Sequence, residues 1–242
     1  MYLTCLCPSY FRPHALATAL ALFERQTYPK EKRFFLALDD SGKIHPEEGE
    51  NWKIISVPTR YPSLSAKYNA MLEMLPGSTE GLVVWDDDDL YLNRHLEAVA
   101  LALQEGPWAH PQWVYSTYQG LACERAVGRF HGALALRLDA CRAVGGWPDT
   151  RRADYDQQML ARLQETYGSP VHYDRFYGPT YAFHWLTRTW HSQWFMRGPD
   201  DEGWYDRVPI PAVDWPVHVR PELDRDVAEL VLELEESTLP CD

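Results

Sequence analysis

Four consecutive aspartates, Asp86, Asp87, Asp88 and Asp89, directly follow the apolar run 81–85. Adjacent carboxylates repel one another, and Asp is disfavoured in strands. Such a run is tolerable where a hard divalent cation neutralises it, because carboxylate oxygens suit Mg2+, Mn2+ or Ca2+. A solvated acidic turn is the competing reading. An EF-hand loop is excluded, since the glycine and the distal glutamate of that pattern are missing. A strand ending in Asp-x-Asp suggests a nucleotide-diphosphate site. There a dication bridges two phosphates and stabilises the charge that grows on a departing diphosphate.

The elements that must position these carboxylates read as alternating strands and helices. Residues 2–7, 34–38, 53–57 and 81–85 are short apolar runs. Residues 14–25 are rich in Ala and Leu, with Pro13 suited to a first helical turn. Leu64, Tyr68, Met71, Leu72 and Leu75 repeat at helical spacing before Pro76-Gly77. Asn93 is placed to cap a helix whose apolar face is Leu96, Val99, Ala100 and Leu103. This alternation predicts an α/β fold with a central, mostly parallel sheet flanked by helices. Ligands of such sheets bind beyond the carboxyl ends of the strands. The polar clusters at 8–12, 39–41 and 86–89 fall at those ends and would share one rim. Further on, 113–118 and 133–136 read as strands, 153–166 as a helix stopped by Gly168, and 178–215 as aromatic-rich loops. Residues 221–236 read as an acidic amphipathic helix with Leu223, Val227, Leu230, Val231 and Leu234 on one face. The expected organisation is one domain over 1–220, with a nucleotide-binding half at 1–105 and an acceptor half at 106–220. The acidic helix and tail at 221–242 follow it.

Composition excludes several classes. At 242 residues and 45% hydrophobic, the chain is long enough to bury a core without a metal or disulfide staple. A net charge of −12 makes it a poor generic binder of nucleic acid or anionic membrane. No apolar run approaches the ~18 residues of a membrane span, and no signal peptide precedes the first strand. Five scattered cysteines without a Cys-x-x-Cys pair predict reduced thiols and a cytoplasmic location.

Four stretches together resemble a family 2 glycosyltransferase of the inverting, GT-A-fold kind. They are the opening strand and loop 3–12, Leu38-Asp-Asp-Ser-Gly42, Val83-Val-Trp-Asp-Asp-Asp-Asp-Leu-Tyr91, and Gly145-Gly-Trp-Pro-Asp149 followed by Ala153-Asp-Tyr-Asp156. The resemblance spans about residues 1–170. It implies that Pro8, Tyr10 and Arg12 hold the nucleotide, that Asp39 meets the base or ribose, and that Lys67 and Asn69 lie near the nucleotide. Asp88 would bind Mn2+ or Mg2+ directly, with Asp86 on the ribose or the metal's water. Asp87 fills a variable position whose charge the resemblance does not explain. Asp154 matches the catalytic base, but Ala153 replaces the usual Glu, which leaves Asp156 as a rival. Two residues apart on a helix, the two aspartates point in different directions. His191, or alternatively His184, would be a late metal ligand. Gly146, Trp147 and Arg188 would lie by the sugars or the diphosphate.

The activity so implied is sugar transfer from a nucleotide-diphosphate sugar, with UDP-sugars foremost by family frequency, to a hydroxyl. The acceptor expected is an oligosaccharide, a protein or a small molecule. A hydroxymethylated DNA base is the alternative, favoured by arginines 125, 129, 137, 142, 151 and 152 and opposed by the net charge. A nucleotidylyltransferase is disfavoured because residues 8–12 lack glycine. A non-catalytic sugar- or calcium-binding module is the rival from another class.

Overall fold

A computed structural model of the chain describes residues 1–118, 120–126, 128–184, 216–237 and 241. In chain order the elements are β1 (Leu3–Ser9), α1 (Pro13–Glu24), β2 (Arg33–Asp39), β3 (Glu47–Glu48), β4 (Trp52–Ser56), α2 (Leu64–Leu72), β5 (Gly81–Val84), β6 (Leu90–Tyr91) and α3 (His95–Glu105). They continue with β7 (Trp108–Ala109), β8 (Trp113–Ser116), β9 (Ala122–Arg125), β10 (Ala135–Arg137), α4 (Leu138–Ala143), α5 (Tyr155–Tyr167), α6 (Asp174–Tyr177), β11 (Tyr181–Phe183) and α7 (Arg225–Glu235).

The main sheet runs β3-β4-β2-β1-β5-β10-β7. Its inner strands β4, β2, β1 and β5 are parallel, and β3, β10 and β7 close the edges antiparallel. Strands β1, β2 and β5 are nearly continuous apolar runs because helices cover both faces. On one face Leu3, Cys5 and Cys7 meet Leu16, Leu20 and Phe23 of α1, Leu96, Val99 and Leu103 of α3, and Val231 and Leu234 of α7. On the other, Leu6, Leu36, Leu38 and Val84 meet Tyr68 and Met71 of α2 and Met159 and Leu163 of α5. A smaller sheet, β6-β11-β8-β9, stands beyond the end of β5. The sheets cross the expected division at residue 105: β7 and β10 complete the first sheet, and β6 joins the second.

Local chemistry explains most boundaries. Pro13 opens α1 at a position where its missing N–H is no loss. Ser63 caps α2 by accepting from the Ala66 N–H at 3.1 Å. Three expectations are corrected. The N-cap of α3 is Arg94, not Asn93; the Asn93 carbonyl instead accepts from the Thr27 N–H at 2.8 Å. The last helix starts at Arg225, four residues later than expected, because Asp224 caps it through the Val227 N–H at 3.0 Å. The stretch expected as loops contains β11, while residues 185–215, with Trp185, Trp190, Trp194, Trp204 and Trp215, lie outside the described residues.

The expectation of five reduced thiols is also corrected. Cys123 of β9 and Cys241 form a disulfide, while Cys5, Cys7 and Cys141 are free and buried. Disulfides are rare in cytosolic proteins, so the cysteine argument for a cytoplasmic location falls with that bond. Among the described residues no helix is long and apolar enough to cross a membrane.

One core residue makes stability depend on pH. His95 is fully buried, shares a 3.1 Å hydrogen bond with Thr180 Oγ1 through Nδ1, and lies edge-on to Trp85, Tyr91 and Tyr173. Burial pushes its imidazole down to about 3. Between pH 6.5 and 3 the unfolded chain therefore binds a proton that the native chain refuses, and stability falls as pH falls. At pH 5 the loss from this residue is about 2 kcal/mol. Thermal or urea unfolding at pH 7 and pH 5 checks this. His95→Gln, which cannot titrate, should lose that share of the acid sensitivity.

Candidate active site

The carboxyl ends of β1, β2 and β5 meet at one rim, and a cleft of about 490 Å³ opens there. Pro8, Tyr10, Arg12 and Lys67 line it from the β1 loop and α2. Asp86, Asp88 and Asp89 line it from the turn after β5, and Asp156 from the start of α5.

The four aspartates are held by donors from separate elements. Tyr68 Oη donates to Asp86 Oδ1 at 3.0 Å. The Asp86 N–H donates to Tyr91 Oη at 2.7 Å, and that hydroxyl donates onward to the Gly132 carbonyl at 3.1 Å. Ser9 Oγ donates to Asp87 Oδ2 at 2.7 Å. Arg12 spans two carboxylates, at 2.8 Å from Asp87 Oδ1 and 2.9 Å from Asp88 Oδ2. Tyr181 Oη and the His184 N–H both donate to Asp89. Asp87, whose charge the family pattern left unexplained, is thus the anchor for Arg12 and Ser9. Gly132 lets the turn close on the cluster: a Cβ there would lie 2.8 Å from both Asp86 Oδ2 and Asp89 Oδ2.

These bonds do not cancel the crowding of charge. Burial, then the charge of Asp88, raises the Asp86 carboxyl to about 7. Burial raises Asp87 to about 6 against the pull of Arg12. Asp89 is raised well above the usual carboxylate range by burial and by Asp88 and Asp86. A site of buried carboxylate oxygens that resist ionising together fits a hard dication. His184 is a candidate extra ligand. Its Nδ1 shares a 3.3 Å hydrogen bond with Thr117 Oγ1, and its buried Nε2 has no hydrogen-bond partner among the described residues.

Several residues expected at the nucleotide are committed elsewhere. Asp39 is fully buried and does not line the cleft. It accepts from the Phe11 N–H at 2.8 Å, from Ser41 Oγ at 2.8 and 2.9 Å, and from Ser56 Oγ at 2.7 Å. Its bond to Phe11 holds that residue in the left-handed region at φ +45°. Lys67 forms a buried ion pair with Asp40 at 2.6 Å and donates to the Ser9 carbonyl, so its ammonium is spent on the rim's framework. Asn69 closes a pair of bonds with the backbone of Trp147, at 2.9 and 2.8 Å. Gly146 has φ +74°, and a Cβ there would meet Asn69 Oδ1 at 2.6 Å. Trp147 is buried, stacked on Tyr68 at 4.6 Å, and does not line the cleft. Tyr10 lines the cleft, with Arg60 covering its ring at 4.1 Å. Arg188 and His191 lie outside the described residues.

The two candidate bases differ in their surroundings. Arg152 holds Asp154 through two bonds of 3.0 Å, Gln158 adds one of 2.9 Å, and the Arg152 bonds lower its carboxyl below the usual range. Asp154 does not line the cleft. Asp156 does, and burial raises its carboxyl.

Sequence reasoning missed His131. Trp147 Nε1 donates to its Nε2 at 2.9 Å, which assigns the remaining proton to Nδ1. That nitrogen is buried with no hydrogen-bond partner among the described residues, and burial pushes the imidazole down to about 3. His131 is therefore a neutral donor on the cleft wall. No motif surrounds it, and only the fold brings it to the rim.

No protein-family model matches the chain, and no curated protein matches it. Solved structures do. TarS 1-349 of S. aureus superposes with a TM-score of 0.61 at 14% identity, covering 76% of this chain and 60% of that one. The same protein in complex with UDP-GlcNAc gives 0.62 at 13% identity, covering 100% and 68%. The mannosyltransferase PcManGT from Pyrobaculum calidifontis, in complex with GDP-Man and Mn2+, gives 0.56 at 17% identity, covering 79% and 59%. Likeness at this identity shows the fold: a mixed α/β architecture with a central, mostly parallel sheet flanked by helices, shared with these structures. The chain spans about 60% of the length of TarS 1-349 and of the mannosyltransferase.

Arg12→Met removes the guanidinium that Asp87 and Asp88 share while keeping its bulk. The expected loss is about 3 kcal/mol, because a buried carboxylate is left without its partner. Denaturant unfolding of the metal-free variant checks this, and Asp87→Asn in the same background should recover part of the loss.

Proposed function

We propose that the protein is an inverting glycosyltransferase. It moves a sugar from a nucleotide-diphosphate sugar, with UDP-sugars foremost, to a hydroxyl of a soluble acceptor. The observation that carries this reading is the union in one cleft of the buried carboxylates Asp88 and Asp89 and the half-buried Asp86 with a separate carboxylate, Asp156. The fold neighbours bound to UDP-GlcNAc and to GDP-Man with Mn2+ support a nucleotide-sugar donor.

Asp86 and Asp88, with His184 in reach of Asp88's charge, would hold Mn2+ or Mg2+. When bound, the ion offsets the negative charge that builds on the departing diphosphate. Asp156 takes the proton of the acceptor hydroxyl as its oxygen bonds to the anomeric carbon. The bond from that carbon to the diphosphate oxygen breaks, and its electron pair leaves with the diphosphate. A single displacement from the opposite face inverts the centre. A carboxyl raised by burial is a stronger base than a solvated one. His131 lines the cleft as a neutral imidazole and adds no charge to it. Tyr118, Phe130, Tyr155 and Phe183 offer ring faces to sugar C–H groups.

Two measurements test this. A thermal-shift panel of UDP-GlcNAc, UDP-glucose and GDP-mannose, each with and without Mn2+, should show metal-dependent stabilisation by a matching donor. Stabilisation by none of the donor classes defeats the reading. Donor hydrolysis or transfer should then fall about 100- to 10,000-fold in Asp156→Asn with donor binding retained, and should stay within a few-fold in Asp154→Asn. The reverse ranking reassigns the base to Asp154.

A further inference from the structure

We infer that His45, Glu47 and His218 form a second metal site, outside the cleft, that takes a borderline transition-metal dication such as zinc. One ligand atom from each lies within 4.8 Å of the others. The two imidazoles stack at 4.1 Å with their planes 23° apart, and His218 Nδ1 stands 3.9 Å from Glu47 Oε2. Zinc binds imidazole nitrogen and carboxylate oxygen at about 2.0–2.2 Å in a tetrahedron. Modest side-chain rotations bring these atoms to that spacing.

A second observation points to a ligand. Glu47 Oε2 is buried yet has no hydrogen-bond partner among the described residues. A carboxylate oxygen shielded from water and left without a donor is costly, and a cation between the two histidines supplies what it lacks.

The backbone holds the three residues in place without a metal. His45 N–H donates to the Val217 carbonyl at 2.8 Å, and Val217 N–H donates to the Lys43 carbonyl at 2.8 Å. Ile44 and Val219, on either side of the ligands, are buried in the core. Glu47 opens β3, fixed by its pairing with Ile54 of β4. The ion would clip the segment that follows residue 215 to the edge of the main sheet, with the fourth position left to water.

The donor chemistry separates this site from the aspartate cluster. Two nitrogens and one oxygen favour zinc or its neighbours in the first transition row, whereas an all-carboxylate set favours magnesium or manganese. None of the three residues lines the cleft.

The test uses the full chain, stripped with chelator and titrated with zinc chloride. Bound metal is counted by mass spectrometry and affinity is measured by calorimetry. Wild type should retain one zinc per chain and gain thermal stability from it. Asp88→Asn should keep that zinc. His45→Ala and His218→Ala should weaken it by more than the roughly 10- to 100-fold that removing an outer partner costs. Glu47→Gln, which preserves shape, should weaken it too and serves as the reading if a histidine variant folds poorly. Replacing zinc by cobalt should give visible absorption in wild type that is lost in His218→Ala. No zinc retained by wild type, or undiminished affinity in His218→Ala and Glu47→Gln, overturns the inference.

Discussion

Carboxylates cannot stand side by side in a dry place without company, and this constraint organises the rim of the main sheet. The turn after β5 puts four of them where the sheet ends. Each neighbouring element then contributes a donor: Ser9 and Arg12 from β1 and its loop, Tyr68 from α2, Tyr181 from β11, and the backbone of His184. Tyr91 of β6 takes the Asp86 N–H and fastens the turn to Gly132. The small sheet serves this arrangement directly, since β6 and β11 carry two of the three phenols.

A further tier of bonds fixes the loops that bring those donors. Asp39 and Asp40, at the end of β2, do not face the cleft but hold what does. Asp39 holds the loop bearing Arg12 by the Phe11 N–H, and Asp40 holds Lys67 and the Tyr61 N–H. Lys67 in turn donates to the Ser9 carbonyl, so β1, β2 and α2 are locked together just behind the cleft. Asp39, which the resemblance places at the base or ribose, has both carboxylate oxygens bonded within the protein.

The parallel strands and the acidic turn were legible in the sequence because both are local. Apolar runs of strand length alternate with helical spacing, and four adjacent aspartates need no partner to be noticed. The direction of a side chain is not local. The helical offset between Asp154 and Asp156 says that the two point apart, but not that Arg152 pairs with Asp154 while Asp156 lines the cleft. Tyr68 reads as one more apolar position on α2, although its ring packs in the core and its hydroxyl reaches Asp86. Strand β9 is half-exposed and mixed in character, so no alternation announces it. The disulfide between Cys123 and Cys241 joins residues 118 positions apart, a separation at which sequence carries no pairing signal. His131 becomes visible only when the indole of Trp147 reaches it.

The left-handed backbone at Phe11 bears on how this rim can drift in evolution. A bulky residue held there costs on the order of 1–3 kcal/mol, and glycine would relieve it. The aromatic ring packs at the edge of the core, and the Phe11 N–H donates to Asp39 Oδ1 at 2.8 Å. The two positions are therefore coupled through that bond. A lineage that loses the acid releases the kink and swings the guanidinium of the next residue out of register, while one that trades the ring for glycine keeps the path of the chain but loosens its aim.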